Sequence, residues 1–194
     1  MNTEIAAVLF DVDGTLVNSN DAHAEAWVRA FAEHGVTVDP IAVRRSIGMG
    51  GDKLMPAVSD LSEDDALGAK IAERRGKIFK AHLLPHLKPF PGAADLVEAV
   101  KDRGLTAVAA SSASKEDLLP LLEIAGARHL LDAWTSSDDA DESKPAPDIV
   151  EAALKRAGAS PQNAVMIGDT PYDITAARRA GVRVIAFRSG GWLD

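Results

Sequence analysis

Ile5-Ala6-Ala7-Val8-Leu9-Phe10-Asp11-Val12-Asp13-Gly14-Thr15 is the stretch on which the reading of this chain turns. Its first six residues are all apolar. A run that short, met by polar residues at once, reads as a strand buried on both faces. Two carboxylates follow directly. In extended backbone Asp11 and Asp13 would point to opposite sides. Gly14 ends the strand and lets both turn into one crevice. Taken alone, such a stretch is also a common surface turn.

The pattern recurs downstream. Residues 105–110, 164–167 and 182–187 read as strands, and 130–135 as a weaker one. Amphipathic stretches separate them at 93–103, 115–125, 147–157 and 172–180. Gly104, Gly126, Gly158 and Gly181 follow these stretches where helix C-caps are expected. Pro120 falls inside the second and predicts a late start or a kink there. Alternating strands and helices, with apolar strands, predict a parallel sheet covered on both faces. Residues 17–89 differ. They carry helical patterns at 21–34, 41–47, 54–58 and 64–82 and no convincing strand. Pro85, Pro89 and Pro91 mark the return to the strand–helix pattern. The expected organisation is a core of 1–16 and 90–194 with a helical domain, 17–89, inserted after the first strand.

Composition narrows the function. The 194 residues suffice for one core plus a small appended domain. A formal charge of −8 disfavours nucleic acid and anionic membranes as partners. Aromatic residues at 5% offer little for stacking on single strands. The absence of cysteine excludes disulfides, thiolate nucleophiles and thiolate metal sites, so any metal must sit on oxygen or imidazole. His34, His82, His86 and His129 show no metal-ligand spacing. Met1-Asn2-Thr3-Glu4 has neither the basic start nor the apolar run of a signal peptide, and no segment approaches the ~20 apolar residues of a membrane helix. A cytoplasmic location is expected.

Three further groups stand at strand ends, where open parallel sheets build their sites. Ser111-Ser112-Ala113-Ser114 offers hydroxyls and N–H groups at a helix start, a phosphate seat or simply a cap. Ser143-Lys144-Pro145-Ala146-Pro147-Asp148 holds one lysine between two prolines ahead of a helix, placed to grip an anion. Gly168-Asp169-Thr170-Pro171-Tyr172-Asp173 adds two acids, which in isolation read equally as helix capping.

Together, in this order, the four groups resemble the motifs of the haloacid dehalogenase superfamily, most closely its phosphoglycolate-phosphatase-like and β-phosphoglucomutase-like hydrolases. The resemblance covers nearly the whole chain. It implies a Rossmann-like three-layer α/β core with a parallel sheet and an inserted α-helical cap. It implies that Asp11 is a nucleophile forming an aspartyl-phosphate, and that Asp13 protonates the leaving oxygen and then activates water. Mg2+ would be held by Asp11, the backbone carbonyl of Asp13 and Asp169, with Asp173 completing the shell through water or orienting Lys144. Lys144 and the hydroxyl of Ser111 or Ser112 would bind the phosphoryl group, with Thr15 supporting the nucleophile loop. An acid at position 13 argues against the superfamily's dehalogenases and phosphonate-cleaving enzymes, which typically lack one.

The cap would choose the substrate. Arg45 and Lys53 lie in a basic, glycine-rich stretch that stands out in an acidic chain, and His23 lies near the expected hinge. These are the candidate substrate contacts, set against the simpler reading of solvated helix ends and local packing. The expected activity is a magnesium-dependent phosphatase of small phosphorylated metabolites, of the phosphoglycolate or sugar phosphate type. The alternatives are a sugar-phosphate mutase using the same residues and a non-catalytic protein that keeps the fold.

Overall fold

The computed structural model describes residues 4–192; Met1 to Thr3, read above for a signal peptide, and residues 193 and 194 lie outside the described residues. Five strands form one sheet: β1 (Ala7–Phe10), β2 (Thr106–Ala110), β3 (Ala133–Thr135), β4 (Ala164–Gly168) and β5 (Arg183–Ala186). All pairings are parallel, in the order β3-β2-β1-β4-β5. The weaker run at 130–135 contributes only its last three residues.

Side-chain alternation on a pleated strand explains why these runs are apolar throughout. Val8, Phe10, Ala107 and Ala109 enter one core layer, and Ala7, Leu9, Val108 and Ala110 enter the other. The second layer is closed by α7 (Asp148–Ala157) and α8 (Pro171–Arg179) through Ile149, Ala153, Ala176 and Ala177. The first is closed by α5 (Ala93–Lys101) and α6 (Lys115–Ile124) through Val97, Leu118 and Leu121. Helix α6 starts on time despite Pro120: Ser114 caps it by accepting the Asp117 N–H, and the proline is accommodated within the helix. Strand β5 departs from the expectation of full burial. It is an edge strand, and Ile185 is 49% exposed.

Between β1 and α5 the chain makes α1 (Asn20–Glu33), α2 (Pro40–Ser46), α3 (Gly51–Val58) and α4 (Ala66–Ile78). The helical pattern at 64–82 does not hold as one α-helix. After Ile78 it loosens into a π-helical turn, Phe79–Leu83, then a 3-10 turn, Leu84–His86, which contains Pro85. Helix α1 packs on α2 and α4. Trp27, Phe31, Met55, Ile71 and Phe79 are buried among these helices and continue the first core layer. The outgoing and returning chains lie side by side: the Asn18 N–H donates to Lys88 O at 3.1 Å, and the Phe90 N–H donates to Leu16 O at 2.9 Å. Among the described residues no helix is long and apolar enough to cross a membrane.

This topology fixes where a site can form. From β1 the chain runs outward through β2 and β3, then returns to lay β4 on the other flank of β1. The loops leaving β1 and β4 therefore part, and a crevice opens at the carboxyl ends of the strands.

Candidate active site

Phe10 of β1 lies beside Ile167 of β4, and the Asp11 N–H donates to Ile167 O at 2.8 Å. Asp11 and Asp169 thus leave neighbouring strands at nearly the same level. Asp173, on the first turn of α8, completes a buried group: Asp11, Asp169 and Asp173 each bring one carboxylate oxygen within 4.8 Å of the other two. Gly14 makes the approach possible. It has φ +79, and a Cβ there would sit 2.3 Å from Asp169 Oδ2 and 2.2 Å from Asn20 Nδ2. The Thr15 hydroxyl stands between two of the acids, 2.9 Å from Asp169 Oδ1 and 3.2 Å from Asp11 Oδ2. Asn20 donates to Asp169 Oδ2 at 2.9 Å.

Lys144 is fully buried, and its ammonium answers this negative charge. Nζ lies 2.6 Å from Asp11 Oδ1, 2.7 Å from Ala110 O and 2.8 Å from Asp173 Oδ1. The third contact is an ion pair, the one partner of Asp173 Oδ1 among the described residues. The flanking carboxylates outweigh the cost of burial and push the Lys144 pKa up, keeping it charged. One ammonium cannot balance three carboxylates. Burial, then the Asp173 charge, raises the Asp11 pKa well above the usual carboxylate range, against the pull of Lys144. Burial and Asp173 likewise push Asp169 up to about 7. A divalent cation fits this set. The donors are all oxygens, the excess charge is negative, and one oxygen of each acid converges within 4.8 Å of the other two, with Lys144 the one ammonium among them. Oxygen-only carboxylate sites suit Mg2+.

Asp13 turns the other way. Its Oδ1 accepts from the Ser19 hydroxyl at 2.5 Å and lies 2.7 Å from His23 Nε2. Burial alone would raise its pKa, but His23 and Ser19 outweigh that and hold it low, as a carboxylate. His23 Nδ1 lies 3.1 Å from an Arg75 guanidinium nitrogen. Guanidinium only donates, so Nδ1 accepts and Nε2 carries the proton given to Asp13. Asp11 and Asp13 open onto a cavity of about 270 Å³ between the sheet end and the inserted helices.

A family model described as haloacid dehalogenase-like hydrolase matches residues 8–187, nearly the whole chain. The chain belongs to the haloacid dehalogenase-like hydrolases. Its relatives include the fructose-1-phosphate phosphatase YqaB of Escherichia coli, 28% identical over 97% of this chain and 99% of that protein. Protein SUPPRESSOR OF QUENCHING 1, chloroplastic, of Arabidopsis thaliana is 35% identical over 96% of this chain, which spans only 18% of that much longer protein. A hydrolase from Pseudomonas syringae shares the fold with a TM-score of 0.90 at 26% identity, over 96% of this chain and 86% of that one.

In this haloacid dehalogenase-like hydrolase the strand-end residues of the sequence reading come together, while the substrate residues do not all do so. Asp11, Thr15, Lys144, Asp169 and Asp173 meet within one group joined by hydrogen bonds and ion pairs. Of the two serines, Ser112 lines the cavity; Ser111 is 1% exposed and its hydroxyl accepts the Ala113 N–H instead. His23 lines the cavity. Arg45 and Lys53 do not. Arg45 is exposed, and Lys53 pairs at the surface with Glu142, 2.7 Å away. Both sit on faces of short helices that point away from the crevice, which charge and glycine content cannot reveal. Arg75, Asn20 and Ser19 are the residues that sequence reasoning missed. Ser19 and Asn20 sit six and seven residues past Asp13, and that proximity is the one local signal for them; nothing local marks Arg75.

Proposed function

We propose that this hydrolase is a magnesium-dependent phosphatase of small phosphomonoesters, with residues 17–89 acting as a cap over a core of 1–16 and 90–194. The observation that carries this reading is the buried Lys144 ammonium set 2.6 Å from Asp11 Oδ1, beside two more carboxylates, with Asp11 itself at the wall of a cavity of metabolite size. A carboxylate attacks an anionic phosphate only where cations offset their repulsion.

Asp11 attacks phosphorus, a bond forms from its carboxylate oxygen, and the bond from phosphorus to the substrate's alcohol oxygen breaks. Asp13, protonated on substrate arrival, gives its proton to that oxygen. Water then enters, gives a proton to the Asp13 carboxylate and attacks phosphorus. The bond to Asp11 breaks and phosphate leaves. Lys144 and the Ser112 hydroxyl hold the phosphoryl oxygens through both steps. Mg2+, held by Asp11, Asp169, Asp173 and the Asp13 carbonyl, would supply charge neutralisation of the phosphoryl group. The Asp13–His23 pairing favours the ionised form of Asp13, the one the water step needs.

Phosphate release from a panel of phosphorylated metabolites, with Mg2+ and with chelator, tests the reading. It expects metal-dependent release without isomerisation of hexose phosphates. Isomerisation outrunning release would replace the phosphatase by a mutase, and release undiminished by chelator would remove the metal.

A further inference from the structure

The cavity wall, shared by the sheet end, α6 and the inserted helices, carries an excess of carboxylates. Among the described residues its one lysine or arginine is Arg75 of α4. Both terminal nitrogens of that guanidinium are already engaged and its charge is paired, while its Nε is buried without a hydrogen-bond partner. The guanidinium lies 2.6 Å from the buried Asp117 carboxylate and 3.1 Å from His23 Nδ1, and it stands over the rings of Trp27 and Phe79 at 5.4 and 5.6 Å. Against it the wall sets three carboxylates besides Asp11 and Asp13: Asp52, Glu63 and Asp117. Asp52 is taken up by the Ser143 hydroxyl and N–H. Glu63 is different. Its carboxylate has no hydrogen bond or ion pair among the described residues, and it lies against Gly51, where a Cβ would come within 2.0 Å of Oε1 and 3.1 Å of the Trp27 ring. Burial, then the nearby Asp52, raises its pKa.

We propose that the alcohol leaving group is a neutral, hydroxyl-bearing sugar or polyol with no second anionic group, and that Glu63 is the residue that selects it. This rests on the phosphatase reading above. A second phosphate or a carboxylate would enter a partly desolvated space among carboxylates, with Arg75, its one arginine among the described residues, already charge-paired with Asp117, a costly placement. Hydroxyls face the opposite balance. They donate to an unpartnered carboxylate, a charge-assisted bond, while Trp27 offers an apolar face to the carbon skeleton. The same balance disfavours a sugar bisphosphate as a bound intermediate, so the mutase alternative loses its second phosphate seat.

The test is a comparison of kcat/KM with Mg2+ for hexose and pentitol monophosphates, phosphoglycolate and a hexose bisphosphate, in wild type, Glu63→Gln and Glu63→Lys. p-Nitrophenyl phosphate is measured first in wild type and Asp11→Asn. If its hydrolysis does not depend on Asp11, the phosphatase reading and this inference fall together. If it does, the remaining data bear on the leaving group alone. The expected result is a preference of at least about tenfold for the neutral polyol esters over phosphoglycolate and the bisphosphate. Glu63→Lys should shift that ratio at least about tenfold toward the anionic substrates, and Glu63→Gln should shift it the same way by less. The glutamine variant keeps the test available if the lysine variant fails to fold. A wild type that hydrolyses phosphoglycolate as well as the polyol esters, or a ratio unmoved in the variants that fold, would overturn the proposal.

Discussion

At the scale of single residues, two readings that compete in the sequence turn out to be compatible. Asp173 caps α8, with Oδ2 accepting the Thr170 N–H at 3.0 Å and the Thr170 hydroxyl at 2.6 Å. Its other oxygen faces Lys144 and the acidic group. A carboxylate has two oxygens, and the fold uses one for architecture and one for the site. Asp13 carries the sharpest residue-level prediction. It is held as a carboxylate by His23 and Ser19, yet the first half-reaction needs it protonated. Asp13→Ala should therefore slow release of a poor alcohol leaving group by roughly 10²–10⁴-fold and affect p-nitrophenol far less, since phenolate leaves without a proton. Parallel kinetics on the two esters measure this; equal losses on both would take Asp13 out of the acid role.

At the scale of elements, what was legible and what was not divides along the sheet. An apolar run that stops abruptly at Asp, Ser or Gly is a local signal, and the expected strands β1, β2, β4 and β5 are present to within a residue or two. The site groups on their ends were legible for the same reason. The inserted helices were legible as helices, but not in which face they turn to the cavity. Arg45, Lys53 and Arg75 look alike in sequence; only the packing of α4 on α1 brings Arg75 to the wall. Near β1 the loop is the element under tightest constraint. Gly14→Ala would cost about 1–2 kcal/mol for the left-handed backbone alone and would drive a methyl group against Asp169. It should lower Tm and weaken Mg2+ binding together, by calorimetry. Unchanged metal affinity with lowered Tm would mean that Asp169 does not need its present position to bind the ion.

At the scale of the whole molecule, the unbalanced acids make stability depend on metal and pH together. In the metal-free chain Asp169 is pushed from 3.8 up to about 7. The folded state then holds a proton that the unfolded state has released, so its contribution is full below pH ~4 and is lost as pH rises through about 7. Bound Mg2+ needs the deprotonated form and should restore that loss. The rise in Tm on adding Mg2+ should be larger at pH 8 than at pH 6; a rise independent of pH would separate Asp169 from the metal. The central claim, covalent transfer through Asp11, has a more direct test. Enzyme mixed with Mg2+ and a substrate monoester is quenched in acid within the first turnover, digested and read by mass spectrometry. The account predicts one acid-stable phosphoryl group on the peptide bearing Asp11, absent from Asp11→Asn. A phosphoryl group on any other residue, or an Asp11→Asn enzyme turning over within about tenfold of wild type, a barrier change of only ~1.4 kcal/mol, would contradict it.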